Sequence, residues 1–518
     1  GPARKAIAFT NAQFVIAARS LGTNRIEPAS LTNLTALNLP DGSGIWDVPP
    51  GEWRVSLFRL NDGDGAKPNY LNPDTVRDFL DNTYEEYAKR FGEHFGKTIP
   101  GSFFDEIGNT AVAWDPLLAE RFRQAKGYDL ATALPLLYFD GGPRTIKVRC
   151  DYFEVFTQLF EDAWFKQISA WCDRHHLQLT GHTLESFRNL RDEGDYFRTW
   201  RHAQIPGTDN EDFRYTFPRV IGSWKPKQLS SVSHVYGKER SAVEAMAGAG
   251  WAITLDQARY GVNMLSVYGV NFFIFHLFHY SMDRPATMDD WPNSWFYENP
   301  YWKYFRHLAD YTRRVSFMGR QGEHVADVAI LYPVEDVWSR GFQVGPPVEI
   351  PGLAKLVTPE IIGLATPVVP GLATANTRNR PATEQLVDRL LEQQIDCDLV
   401  DTDSLLQAAP APDGRTKIGK ESYRVLLLPA VRTVSLAAYR RILELSRGGL
   451  KVIAVGVTPR HSAENGADDP EVIRISQELF GDRPVADGAE LLARLGNELT
   501  PGVRVLSGER VALRCQHR

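Results

Sequence analysis

GSFFDEI (101–107), LQLTGHTLES (177–186), AQIPGTDNED (203–212), ERSAVEAM (239–246) and GVNFFIFHLFHYS (269–281) decide the fold of this chain. Each is a short apolar run that closes on acids, histidines or other polar side chains. Between them the apolar spacing predicts helices at about 116–125, 146–175, 225–236 and 252–268, and another at 301–317 ends the series. Strand followed by helix, repeated, favours a parallel sheet, either a (β/α)8 barrel or a doubly wound fold. A barrel delivers its chemistry at the C-terminal ends of several different strands, which is where these polar residues fall. Residues 66–320 are therefore read as a (β/α)8-type barrel. Five such strands follow residue 100, so further barrel strands are expected upstream of Gly1.

Working outward, residues 1–65 are β-rich: AIAFTNAQFVIAA (6–18) is one apolar run, and GIWDVPPGEWRVSLFRL (44–60) reads as two strands joined by a Pro-Gly turn. Asn72-Pro73-Asp74 opens a helix that reaches about Phe95. Downstream, VADVAILYP (325–333), a helix at 382–394, IDCDLVD (395–401), YRVLLLPA (423–430), a helix at 435–446 and GGLKVIAVG (448–456) form a second α/β unit, flavodoxin-like, over 321–485. Within it residues 340–380, rich in Pro, Gly, Val and Leu, read as a long loop. Residues 486–518 are expected to start another β-rich piece. Gly448-Gly449 precedes a strand instead of following one, which argues against a nucleotide site.

Composition narrows the function. Of 518 residues, 43% are hydrophobic and 24% charged, which excludes global disorder. A net charge of −6 argues against binding duplex nucleic acid, which needs a basic footprint, but leaves a neutral carbohydrate open. Cys150, Cys172, Cys397 and Cys515 are too few and too scattered for a disulfide framework or a structural zinc site. No apolar run is long enough for a transmembrane helix, and GPARKAIAFT has no signal-peptide core. Gly1-Pro2 resembles a protease-cleavage scar, and both ends suggest a piece of a longer chain. Localisation and oligomeric state stay undetermined.

The candidate chemistry sits at the strand ends. Asp105 and Glu106 close the first run. His182 and Glu185 close the second; such a Glu can act as a general acid, with His182 orienting it or holding a sugar hydroxyl. Asp209, Glu211 and Asp212 follow a Pro-Gly turn and offer oxygen ligands for calcium or hydrogen-bond partners for a substrate. Glu244 ends the fourth run. His276 and His279 end the fifth, three residues apart, so strand alternation puts them on opposite faces and speaks against a shared metal. Trp114, Trp200, Trp251, Tyr280 and Trp295 supply rings nearby. No serine-nucleophile elbow, zinc-protease, kinase or dinucleotide motif occurs. Several carboxylates on different strand ends are the usual means of cleaving a glycosidic bond, which needs no cofactor: one protonates the leaving oxygen, the other activates water or attacks the anomeric carbon.

At these residues the chain resembles glycoside hydrolase family 106, bacterial α-L-rhamnosidases and related proteins. The ordered landmarks are WDVPPGEWR (46–54), FFDE (103–106), GYDL (127–130), GHTLE (181–185), IPGTD (205–209), SAVEA (241–245), GVNFFIFH (269–276) and VADVAILYP (325–333). The resemblance implies a (β/α)8 barrel followed by a flavodoxin-like domain and β-sandwich pieces, an inverting mechanism with two Glu, a bound calcium and an exported protein. It matches Glu106 to a strand-end acid, Glu244 to the Glu of the serine-headed strand and His276 to the histidine of the Phe-rich strand. IPGTD departs from the paired-Glu motif of the rhamnosidases, and Glu185 is an additional candidate acid. The expectation is therefore hydrolysis of a terminal sugar, first L-rhamnose. Glu244 is the base or nucleophile, Glu185 or Glu106 the acid. Asp105, Asp209, His182, His276, His279, Tyr280 and Trp251 bind substrate, and Glu211 and Asp212 hold the metal. The alternatives are a retaining β-glycosidase using Glu185 and Glu244, a carbohydrate-binding protein without catalysis, and a lyase with a base such as Tyr280.

Overall fold

The structure is a computed structural model that describes residues 3–8, 12–37, 42–60, 68–107, 112–183, 194–210, 222–283, 292–342, 382–481, 488–499, 502–503 and 514–518. The long loop expected at 340–380 lies almost wholly outside the described residues.

In the N-terminal part, β1 (Ala3–Ala8) pairs antiparallel with β3 (Ser43–Val48), and β2 (Phe14–Arg19) pairs antiparallel with β4 (Trp53–Phe58). β3 and β4 are therefore consecutive without forming a hairpin with each other. Pro49 and Pro50 have no N–H to close its first rungs, and the turn is held instead by Arg19, which donates to Pro50 O at 3.1 Å.

A helix follows. Asn72 caps it by accepting from the N–H groups of Asp74 and Thr75, with Pro73 at its first position. It runs through α1 (Pro73–Phe79), a π-turn at Leu80–Tyr84 and a second segment, Glu85–Phe91, four residues short of Phe95.

The five polar-ended runs form strands β5 (Gly101–Ile107), β6 (Gln178–Thr183), β7 (Gly207–Asn210), β8 (Ala242–Ala245) and β9 (Phe272–Phe275). β5 pairs with β6, and β7–β8–β9 form a parallel ladder in chain order. β6 lies beside β7: Ile205 N donates to Leu179 O at 3.1 Å, and a Cβ placed on Gly207 would stand 2.0 Å from Gly181 O. The connections are helical: α2 (Pro116–Lys126) and α3 (Arg144–Phe160) between β5 and β6, α4 (Trp224–Val235) between β7 and β8, α5 (Leu255–Val267) between β8 and β9, and α6 (Trp302–Gly319) after β9.

Alternation sorts the side chains. Phe104 points outward, with its ring against Trp164, Phe165 and Trp200, and Phe275 points outward against Trp295 and Phe305. Phe103 and His182 meet on the opposite face. Two glycines make the close strand contacts possible. Gly181 has φ +146°, and a Cβ there would lie 2.2 Å from Phe104 O. Gly181→Ala is expected to lower stability by more than about 1 kcal/mol, because both the backbone angle and the space forbid a methyl group; the urea midpoint measures it.

The second unit is a parallel sheet of β10 (Val328–Leu331), β11 (Cys397–Val400), β12 (Val425–Pro429) and β13 (Lys451–Val455), in the spatial order β11–β10–β12–β13. Its central strands are buried on both faces, which is why they read as unbroken apolar runs. The β-rich start expected from 486 is corrected: Gly488–Glu498 is a helix, with Leu491 and Leu495 buried four residues apart at helical spacing.

Candidate active site

The C-terminal ends of β5, β6, β8 and β9 bring four of the expected residues together. His182 Nε2 stands 2.9 Å from Asp105 Oδ1 and 3.0 Å from Glu244 Oε2. Carboxylates only accept, so the atom facing both must carry a proton and share it. His276 Nε2 lies 3.8 Å from the other oxygen of Glu244. His182 is buried, Glu244 keeps 13% of its side chain open to solvent and Asp105 72%. One edge of the cluster therefore faces water and the other is packed.

Backbone irregularity aims these groups. The register of β5 shifts between Phe104 and Ile107, a bulge that carries Asp105 and Glu106. Glu106 is exposed and sits at φ +43°, and Met246, two residues beyond Glu244, at φ +72°. Residues other than glycine held in the left-handed region cost energy and concentrate at functional sites. Asp209 is buried and directly opposite Glu244 in the β7–β8 register, so both side chains point to one face of the sheet.

The remaining expectations divide. β9 ends at Phe275, so strand alternation does not reach His279. His279 is buried, with its N–H on Ser294 Oγ at 3.2 Å. Tyr280 is almost wholly exposed and Trp251 half-buried. Trp200 and Trp295 are core residues outside the strands, and Trp114 packs on Phe14. Glu185, Glu211 and Asp212 lie outside the described residues.

Asp105, His182 and Glu244 offer one ligand atom each, all within 4.8 Å of one another. Calcium takes about six to eight oxygens, and this set brings two carboxylates and an imidazole nitrogen, so by itself it is not a calcium site. A second group, His234, His324 and Asp398, is buried between α4 and the second unit. Lys227 Nζ lies 3.8 Å from the same Asp398 carboxylate. An ammonium there supplies the cation, and the group is an ion-pair cluster. Sequence reasoning missed it because its members are far apart in the chain.

The model of glycoside hydrolase family 106, described as alpha-L-rhamnosidase, matches residues 6–340. A curated relative from Formosa agariphila that bears the name "Putative beta-glucuronidase" is 21% identical over 511 residues, covering 93% of this chain and 38% of the relative. Among solved structures, a rhamnosidase from Novosphingobium sp. PP1Y is similar with a TM-score of 0.60 and 20% identity, over 92% of this chain and 45% of that one. A catalytic mutant of Gan42B, a GH42 beta-galactosidase from G. stearothermophilus, is similar with a TM-score of 0.55 and 13% identity, over 80% and 60%. At these identities the structural likeness speaks for the fold. The chain spans less than half the length of the curated relative and of the rhamnosidase.

Proposed function

Because the chain belongs to glycoside hydrolase family 106, we propose that it is the catalytic part of an enzyme that removes a terminal α-L-rhamnose-type sugar from a glycan or glycoside by inversion. The observation that carries this reading is His182 Nε2 standing 2.9 Å from Asp105 and 3.0 Å from Glu244 at the water-facing end of the strands. Glu244, facing His182 and His276, serves as the base that takes a proton from the attacking water. The acid that protonates the leaving oxygen is Glu106, on the bulge beside Asp105, or Glu185. His182, His276 and Asp209 hold the sugar. In this reading β5 to β9 are part of a (β/α)8 barrel, and the order β11–β10–β12–β13 makes the second unit flavodoxin-like. Among the described residues no helix is long and apolar enough to cross a membrane.

A panel of aryl and alkyl glycosides tests the proposal. A good leaving group needs little protonation, so loss of the acid should depend on the substrate. Glu106→Gln, or Glu185→Gln if that residue is the acid, is expected to lower kcat on methyl α-L-rhamnoside by about 10²–10⁴-fold and to spare the 2,4-dinitrophenyl glycoside. Uniform activity across wild type and both variants sinks the acid assignment. A retaining β-glycosidase, favoured by the fold likeness to the GH42 enzyme, would release its first product with the starting anomeric configuration, which proton NMR reads directly.

A further inference from the structure

The cluster at the strand ends has a capacity that the hydrolytic reading leaves unused. His182 Nε2 stands 2.9 Å from Asp105 Oδ1 and 3.0 Å from Glu244 Oε2, and the three atoms all lie within 4.8 Å of one another. Each comes from a different strand: Asp105 from β5, His182 from β6, Glu244 from β8. The donors are therefore held by the sheet, and a site built on strands keeps its geometry better than one built on loops.

Charge points the same way. Both oxygens of Glu244 face imidazoles, His182 and His276, which are cationic only when protonated. In the buried cluster beside α4, Lys227 supplies a permanent cation next to Asp398. At the strand ends a neutral His182 leaves the Asp105 and Glu244 carboxylates with two negative charges and one proton between them, and a divalent ion matches that charge. The donor set selects which ion. Zinc takes imidazole nitrogen and carboxylate oxygen at about 2.0–2.2 Å in a tetrahedron, so two donors of one ion stand about 3.3 Å apart, close to both His182 contacts. Imidazole suits zinc and its transition-metal neighbours, whereas calcium and magnesium prefer shells of oxygen. Asp105, with 72% of its side chain open to solvent, gives the ion a way in and leaves its fourth position to water.

We infer that Asp105, His182 and Glu244 form a zinc site, and that zinc held there blocks the catalytic base. On binding, the proton leaves His182 Nε2, whose lone pair goes to the ion. The neutral ring keeps one proton on Nδ1, and an imidazolium releases its other proton to solvent. Glu244 Oε2 likewise gives a lone pair to the ion and can no longer take a proton from water. The site stands on the geometry; the inhibition rests on the hydrolase reading.

The test uses the whole chain, dialysed against a chelator. Cobalt(II) is the spectroscopic probe, because four-coordinate cobalt absorbs visible light far more strongly than the hydrated ion. The bands are expected to rise to a plateau at one ion per chain. Zinc should abolish them and calcium at the same concentration should not. By calorimetry, Asp105→Asn and His182→Gln are expected to weaken zinc binding by at least the roughly ten- to hundredfold that loss of a partner behind a metal ligand costs. His94→Gln, an exposed histidine beside Glu93, is the control and should keep the wild-type affinity. Asp105 is at the surface, so its variant folds even where His182→Gln does not. Absence of the bands, wild-type affinity in Asp105→Asn or an equal fall in His94→Gln overturns the site, and displacement of cobalt by calcium overturns the choice of ion. Zinc is expected to inhibit cleavage of p-nitrophenyl α-L-rhamnoside with a midpoint equal to its calorimetric Kd; full activity of the zinc-loaded chain overturns the block. Where no glycoside is cleaved, the cobalt and calorimetric readings still decide the site, and only the hydrolase reading fails.

Discussion

Glu244→Gln is expected to lower kcat by about 10²–10⁴-fold on every glycoside the wild type cleaves, good and poor leaving groups alike. The uniformity is the diagnostic part. A base acts on the attacking water and is indifferent to the leaving group, whereas loss of the acid spares activated substrates. Glutamine keeps the shape of the side chain and its carbonyl oxygen still accepts from His182 Nε2, 3.0 Å away in the wild type, so the pocket keeps its form while the proton acceptor is gone. KM should change little. Removing the imidazole tests the support for that acceptor. His182→Ala leaves Asp105 and Glu244, both bound to one ring nitrogen at present, as two facing carboxylates without a donor between them, and the pH–rate profile should shift. The measurements are kcat and KM on the panel above, with the anomer of the first product followed by NMR. Glu244→Gln at wild-type kcat on any of these substrates would remove Glu244 from the chemistry and, with it, the proposed mechanism.

The parallel strands were legible because each announces itself twice, by an apolar run and by the polar residue that ends it. Glu244 is the clearest case: Ala242 and Val243 are buried in the ladder and the next residue is an acid. The pairing of His182 with Glu244 was not legible, since it depends on how two strands separated by more than fifty residues are staggered and on a bulge at Asp105 and Glu106. The third acidic run was read as a possible metal loop, yet only Asp209 of its acids lies among the described residues, in register with Glu244. The helix at Gly488–Glu498 was misread because strand propensity was given to a segment whose leucines keep helical spacing. The buried charges between α4 and the second unit left no local trace at all. His324 stands in an ordinary polar turn, and IDCDLVD reads as a strand with two interior acids and no stated partner.

Those two acids define the other large effect. Asp398→Asn is expected to lower stability by about 3–5 kcal/mol, the usual cost of breaking a buried ion pair on one side. His324 is wedged between Asp396, 2.9 Å from its Nε2, and Asp398, 3.3 Å from its Nδ1, so both ring nitrogens face carboxylates. Burial alone would push its imidazolium toward neutrality, but the Asp398 and Asp396 carboxylates outweigh that and hold its pKa up at about 10. His234 stacks on it with ring centroids 3.7 Å apart. Burial and the neighbouring His324 charge push the His234 pKa down to about 4, so it stays neutral and faces Asp398 through Nδ1 at 2.8 Å. Lys227 sits 2.9 Å from Asp396. Two anions thus meet two cations, and Asn at 398 leaves the cations in excess with no water to dilute them. The sign with pH follows. The His324 pKa is raised above its unfolded value of 6.5, so its contribution is complete below that pH and is lost as pH rises through about 10. Burial and then the Asp398 charge raise Glu421 to about 7 from 4.5, and this carboxyl penalises the folded state over the same direction of pH change. Urea midpoints at pH 6, 8 and 10 should therefore fall for the wild type and fall less for Asp398→Asn, because Asp398 contributes to both shifts. Lys227→Met in the Asp398→Asn background restores the charge balance and should cost less than the sum of the two single changes. Lys227 and His234 belong to α4, the helix that joins the strand of Asp209 to the strand of Glu244, so catalytic activity should decline alongside the midpoint. An Asp398→Asn protein with the wild-type midpoint at pH 7 would mean that this cluster does not fasten the second unit to the strands that bear the acids.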